Sequence, residues 1–226
     1  MDTNTLNDYL LKLVQESSKE LLKIYFNKPD DRKTLLRIPE YRSGEKRISE
    51  QELRFTLTNL HGQFQHPELY FSVETPTENN YVFDENAKGN RSASSDLSFY
   101  HKEDKVMNIE FKAHNPEQPS IDKDIEKLTK ENFNGAWVHL IDGEDKGTIK
   151  RLFEKFKKAF EGFPTSEKPI SFHILILKTK TLLSRKGKEN ETDYSKNIFN
   201  IDYELWKELE KGQYQFKDWQ IDVFDI

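Results

Sequence analysis

The chain of 226 residues contains no cysteine, which excludes disulfide frameworks, thiolate zinc sites and cysteine nucleophiles. No apolar run approaches the roughly 18 residues of a membrane span. The opening segment MDTNTLNDYLLKL has no basic stretch followed by an apolar core, the mark of a secretory leader. We therefore read a soluble cytoplasmic protein. Neither a Gly-rich phosphate loop nor a G-x-S-x-G elbow occurs, so nucleotide-driven motor activity and serine hydrolysis are poor readings. An excess of positive charge is missing too. Thirty-five Lys and Arg face 40 Asp and Glu, net −5, which excludes a binder that holds nucleic acid by bulk charge but leaves room for a local basic groove.

Aromatic residues are plentiful, with 16 Phe, 9 Tyr and 3 Trp. They supply enough apolar surface for a folded core despite a mean hydropathy of −0.88. Without repeats or low-complexity linkers, residues 1–226 read as one domain. Within it, 1–47 form an N-terminal helical extension, 48–142 carry the central motifs, and 143–226 complete the sheet and its helices. Leu6, Leu10, Leu13, Val14, Leu21 and Ile24 recur at helical spacing and predict one or two helices over 5–26. Ser49 and Glu52 form a capping box, with Ile48 and Leu53 at hydrophobic-staple positions, so a second helix starts there. Strands are expected at 69–73, 81–83, 94–100, 106–113, 136–141, 171–177 and 219–225. Helices are expected after Pro119, over 147–160 and around 202–210. This order predicts a mixed α/β sheet covered by helices.

The segment RSASSDLSFYHKEDKVMNIEFKAH, 91–114, carries the chemistry. The polar stretch His101–Lys105 reads as a hairpin loop that pairs Tyr100 with Val106, residue 98 with 108, and Asp96 with Glu110. The two carboxylates then face each other at roughly 5 Å between Cβ atoms. Lys112 shares their face, while Leu97, Phe99, Met107, Ile109 and Phe111 fill the other. Opposed carboxylates repel unless something offsets them, and Mg²⁺ does so with one or two carboxylates plus waters and phosphate oxygens. A lysine beside them can orient or deprotonate a bound water or offset charge on phosphorus. The alternative is a surface hairpin with a solvated Glu–Lys stripe.

Together, a helix bearing an acid, a strand, Ser95-Asp96, Ile109-Glu110-Phe111-Lys112, a helix and an apolar strand resemble the PD-(D/E)XK nuclease superfamily over roughly residues 48–142. Ser95 stands where proline is common in that family. The resemblance implies an α/β, restriction-endonuclease-like mixed central sheet flanked by helices. It also implies Mg²⁺ dependence, with Mn²⁺ a possible substitute, and DNA as the usual substrate, RNA not excluded. Asp96 and Glu110 match the metal-binding acids and Lys112 the catalytic lysine. Duplex cleavage by such an enzyme would be served by a homodimer. The rivals are a catalytically silent nucleic-acid-binding or regulatory protein on the same fold, and an interaction protein with no nucleic-acid role.

Residues of second rank complete the set. Glu50 and Glu52 compete for the helix glutamate many family members carry; Glu52 already has a capping role, and Glu50 lies about 60° from Leu53 around the helix. Glu74 is either a third ligand or a strand-end ion pair, and Arg91 either a phosphate contact or solvated. Lys123 and Lys127 follow the Glu-x-Lys strand, where the family often places a supporting Lys or Gln, and otherwise form a wet helix face. Two basic clusters, one over 150–158 and one from Lys178 to Lys188 that includes Arg185, offer phosphate-backbone contacts or are a wet helix face and a loop. His139 and His173, inside apolar strands, read as core.

Overall fold

The computed structural model describes residues 1–28, 32–64, 66–81, 91–143, 146–163, 165–189, 191, 194, 199, 215–216 and 218–226. The first helix, α1 (Thr3–Tyr25), is a single element, capped by Asp2, whose carboxylate accepts the Thr5 N–H at 2.9 Å. α2 (Glu50–Phe64) begins where the capping box places it, with the Glu52 carboxylate accepting the Ser49 N–H at 2.7 Å. The staple residues Ile48 and Leu53 are both buried.

The sheet that follows is mixed. β1 (Leu69–Tyr81), β2 (Arg91–His101) and β3 (Asp104–Ala113) run antiparallel in succession. α3 (Gln118–Lys130), β4 (Asn134–Ile141), α4 (Lys146–Gly162) and β5 (Ile170–Ile176) add two parallel strands through helical crossovers. β6 (Thr181–Arg185), β7 (Gln215–Phe216) and β8 (Trp219–Val223) close the order β1-β2-β3-β4-β5-β6-β8-β7. Every residue of β4 and β5 is buried, because a parallel strand is covered on both faces. Alternate side chains then feed two cores. Ala136, Val138 and Leu140 join α1 and α2 on one side, while Trp137, Ile141, Phe172 and Ile174 join α3 and α4 on the other. α1 thus packs into a core shared with the central strands.

Several expectations need correction. β1 is one continuous strand through Tyr81; Val82 and Phe83 lie outside the described residues, as does the helix expected around 202–210. α3 takes Pro119 into its first turn, where a missing N–H costs nothing. The hairpin loop is tighter than five residues: Tyr100 pairs with Lys105 and His101 with Asp104, not Tyr100 with Val106. Ser98 does pair with Asn108, so the register slips by one at Val106, a bulge that absorbs the shorter turn. The Lys-rich stretch is partly a strand. TLLSR forms β6, fully buried between β5 and β8. Arg185 there is 1% exposed and paired with Glu191, which removes it from the phosphate contacts.

Candidate functional site

Strand period sends Leu97, Phe99, Met107, Ile109 and Phe111 into the core beneath α1 and α2, each fully buried. Their neighbours Asp96, Ser98, Asn108 and Glu110 therefore turn to the sheet face that α3 crosses. The β2–β3 ladder ends at Leu97↔Ile109, one position short of Asp96 and Glu110. There the strands part, and the Asp96 carboxylate enters the gap to accept the Phe111 N–H at 2.7 Å. Glu110 is completely buried, which overturns the solvated-stripe alternative.

α3 supplies the other half of the cluster. Its apolar residues Ile121, Ile125 and Leu128 seat it on the sheet and bring Asp124 and Lys127 inward. Lys127 Nζ lies 2.7 Å from Glu110 Oε2 and 3.0 Å from Asp124 Oδ1, and donates to the Ser94 carbonyl at 2.9 Å. Lys112 Nζ lies 2.5 Å from Asp124 Oδ2. Two carboxylates, Glu110 and Asp124, thus share two ammonium groups, and Asp96 feels the charge of both lysines. Glu110 Oε1 is buried and has no hydrogen-bond partner among the described residues.

The titration behaviour follows from this arrangement. Burial, then the charges of Asp124 and Asp96, hold the Glu110 carboxyl well above the usual carboxylate range despite Lys127. Burial also pushes Asp96 up, against the Phe111 N–H and Lys112, which pull it down. Burial alone would lower both lysines. The surrounding carboxylates outweigh it, Asp124 above all for Lys112 and Glu110 for Lys127, so both rise above the ordinary lysine value. They remain cations at neutral pH.

Scans of protein-family models, of curated proteins and of solved structures returned no match. Among the described residues, no three His, Asp or Glu side chains group as a metal cage. A two-carboxylate site still suits Mg²⁺, which keeps several waters and takes substrate oxygens. The orphaned Glu110 Oε1 and the raised carboxyls of Glu110 and Asp96 are the features a cation would relieve.

The remaining candidates divide. Glu74 lies between the pairs Val73↔Leu97 and Thr75↔Ser95, level with Asp96. It is largely exposed and held by Arg54 at 2.7 Å and the Ser94 hydroxyl at 3.1 Å. The Arg54 bond, chiefly, keeps its carboxyl below the usual range. Arg54 also reaches the Asp96 carbonyl at 3.4 Å, so Glu74 forms an ion pair at the edge of the cluster, in the middle of β1 rather than at a strand end. Glu52 is committed to the cap. Glu50 is half-buried and enters none of the cluster's bonds, and Lys123 faces solvent. The Arg91 side chain lies outside the described residues. Of the basic helix residues, Lys155 is tied to the Asn115 side chain at 2.7 Å and the Pro116 carbonyl.

Asp124 is the residue that sequence reasoning missed. Its signal was present: at 100° per residue it lies about 60° from Ile121, on the border of the apolar stripe where a carboxylate needs a reason. Both strand histidines are buried as expected, but His173 is bonded only through Nδ1, to the Ser184 hydroxyl at 3.1 Å, and its Nε2 has no partner among the described residues. His139 accepts the Trp137 indole N–H and donates to the His114 carbonyl at 2.9 Å, and burial holds it down to about 4.

Proposed function

We propose that this chain is a Mg²⁺-dependent nuclease of restriction-endonuclease-like fold that hydrolyses DNA phosphodiester bonds. The observation that carries this reading is the buried Glu110 carboxylate, with one oxygen unpartnered, beside Asp96 and two lysines. The order α2-β1-β2-β3-α3-β4 supports it as well, since it is the order the resemblance implies. Asp96 and Glu110 would hold the Mg²⁺, which when bound supplies neutralisation of charge on the phosphate oxygens.

The chain's own residues suggest a division of labour. Lys112 is raised above its ordinary value and paired with Asp124, so it would enter the reaction as a cation. Offsetting charge that builds on the phosphoryl oxygens suits that state; taking a proton from water does not. Asp124 would hold the Lys112 ammonium at the mouth of the cluster. Lys127 would keep the Glu110 carboxylate oriented, leaving its second oxygen free. A homodimer would bring two such sites to one duplex.

The test is cleavage of supercoiled plasmid and of single-stranded DNA with Mg²⁺, Mn²⁺ or EDTA. Metal-dependent cutting abolished by Asp96→Ala and by Lys112→Ala is the expected result. Absence of cutting on every substrate overturns the proposal. One observation favours a second reading, a silent nucleic-acid-binding protein. The lysines and carboxylates already neutralise one another through Lys127–Glu110 and Lys112–Asp124, so the cluster can serve stability alone. Salt-dependent DNA binding without cutting would select it.

A further inference from the structure

The parallel strands β3, β4 and β5 end side by side, and α/β sheets bind ligands outside the carboxyl ends of their strands. A cleft of about 580 Å³ opens at that end, within the range of small-ligand sites. His114 follows β3, Asp142 follows β4, and Lys178 lies just beyond β5. The opposite wall is the segment before α2, folded back on itself by the Glu40↔Lys46 bridge, and it presents Tyr41, Lys46 and Arg47.

The charges of this cleft differ from those of one other cleft that carries lysines. In that second cleft Lys186 pairs with Asp8 and Lys188 with Asp218. Arg47 and Lys178 are exposed and have no carboxylate partner among the described residues. Lys46 is bonded to the Tyr25 carbonyl and to Asn27 Oδ1 at 3.0 Å, with the charge of Glu40 nearby. The acids lining the cleft are Glu45 and Asp142, which accepts the Tyr25 hydroxyl at 2.5 Å and keeps its charge; against them stand the three cations Lys46, Arg47 and Lys178. Tyr41 presents an exposed ring beside them, the surface on which a base stacks. In a chain of net −5, Arg47 and Lys178, without carboxylate partners among the described residues, stand at one rim with Lys46 and an aromatic platform and describe an anion site for a nucleotide.

We propose that this cleft is a nucleotide-phosphate subsite, with the phosphate on Lys46, Arg47 and Lys178 and the base against Tyr41. It is separate from the Asp96–Glu110 cluster, which lies on the α3 side of the sheet. His114 joins the two: it follows Lys112 by two residues on the chain and donates from Nε2 to the Ile48 carbonyl at the cleft wall. The proposal rests on the nuclease reading in one respect, that the nucleotide belongs to the strand being cut. A strand passing over the carboxyl rim would be gripped here while another of its phosphates lies at Lys112.

The test uses the full chain in EDTA, so that nothing is cut. Fluorescence anisotropy follows a labelled short single-stranded DNA, with thymidine monophosphate and unphosphorylated thymidine as competitors. The variants are Arg47→Ala with Lys178→Ala, Tyr41→Ala, and Lys188→Ala. The wild type is expected to bind and to release DNA to the monophosphate but not to the nucleoside. The double variant should bind at least about ten-fold more weakly, and its salt slope should fall by about 0.7 for each phosphate it no longer neutralises. Lys188→Ala, at a paired cation of the other cleft, should retain most of the affinity. Unchanged affinity and slope in the double variant overturn the subsite, as does a wild type that binds neither probe. Metal-dependent cleavage, measured on the same proteins, separates the two proposals. Cutting with unaltered KM in the double variant removes the subsite and leaves the nuclease. Phosphate-selective binding without cutting leaves the subsite as a nucleotide site and removes the nuclease.

Discussion

Replacing Lys127 with methionine removes a charge from the middle of the cluster while keeping the aliphatic stem. The Lys127 side chain is 4% exposed and, among the described residues, is the hydrogen-bond donor to the Glu110 carboxylate, whose other oxygen is already unpartnered. Asp124 keeps Lys112, so the burden falls on Glu110 and on the Ser94 carbonyl. Removing one partner of a buried ion pair costs about 3–5 kcal/mol, because the other charge stays buried without compensation. In urea, with a slope near 3 kcal/mol/M for a chain of this size, the midpoint should fall by about 1–2 M. The loss should depend on pH in a definite direction. The folded Glu110 already titrates above its ordinary value of 4.5, and loss of Lys127 drives it higher. A raised carboxyl costs nothing below the unfolded value, and stability falls as pH rises from there through the folded pKa. The gap between Lys127→Met and wild type should therefore narrow as pH falls towards the unfolded value of 4.5. Adding Glu110→Gln to Lys127→Met should restore most of the loss. A Lys127→Met protein within about 0.5 kcal/mol of wild type would refute this account of the cluster. So would a double variant whose two losses simply add.

Asp124→Asn should release Lys112 and lower its pKa; on the nuclease proposal, metal-dependent cleavage falls at least about ten-fold while the protein still folds, read by plasmid cutting alongside urea unfolding. Glu131 is a buried carboxylate that accepts the Glu78 and Asn79 N–H groups at 3.0 Å and the Tyr81 hydroxyl at 2.9 Å. Although burial raises its pKa, these bonds outweigh it and hold the group below 4.5, so its contribution is present above 4.5 and lost as pH falls through the lower folded value. Glu131→Ala should cost about 2 kcal/mol at neutral pH and less in acid, as measured by urea unfolding across pH. Ser49→Ala removes the capping hydroxyl of α2 and should cost about 1 kcal/mol in urea unfolding; a change in cleavage larger than the change in stability would contradict a purely structural role for the box.

Local rules made much of this molecule legible from the chain alone. Apolar period marked out α1, the paired faces of β2 and β3, and the fully buried β4 and β5. A four-residue cap signature placed the start of α2. Asp96, Glu110 and Lys112 emerged as one group because a hairpin converts sequence spacing into facing positions. These features depend on residues close in the chain, where backbone geometry alone decides which side chains are neighbours. Tertiary structure decided the rest. Lys127 lies about 120° from Ile121 around α3, on the flank of the helix, so periodicity cannot say whether it meets the sheet or water. Only the seating of the crossover helix on β3 buries it against Glu110. Arg185 looked like one more cation in a basic loop until β8 paired with β6 and the strand was enclosed. The gathering of Arg47, His114 and Lys178 at one rim depends on three strands ending together. Such contacts join residues far apart in sequence, and their energy exists only once the elements have packed.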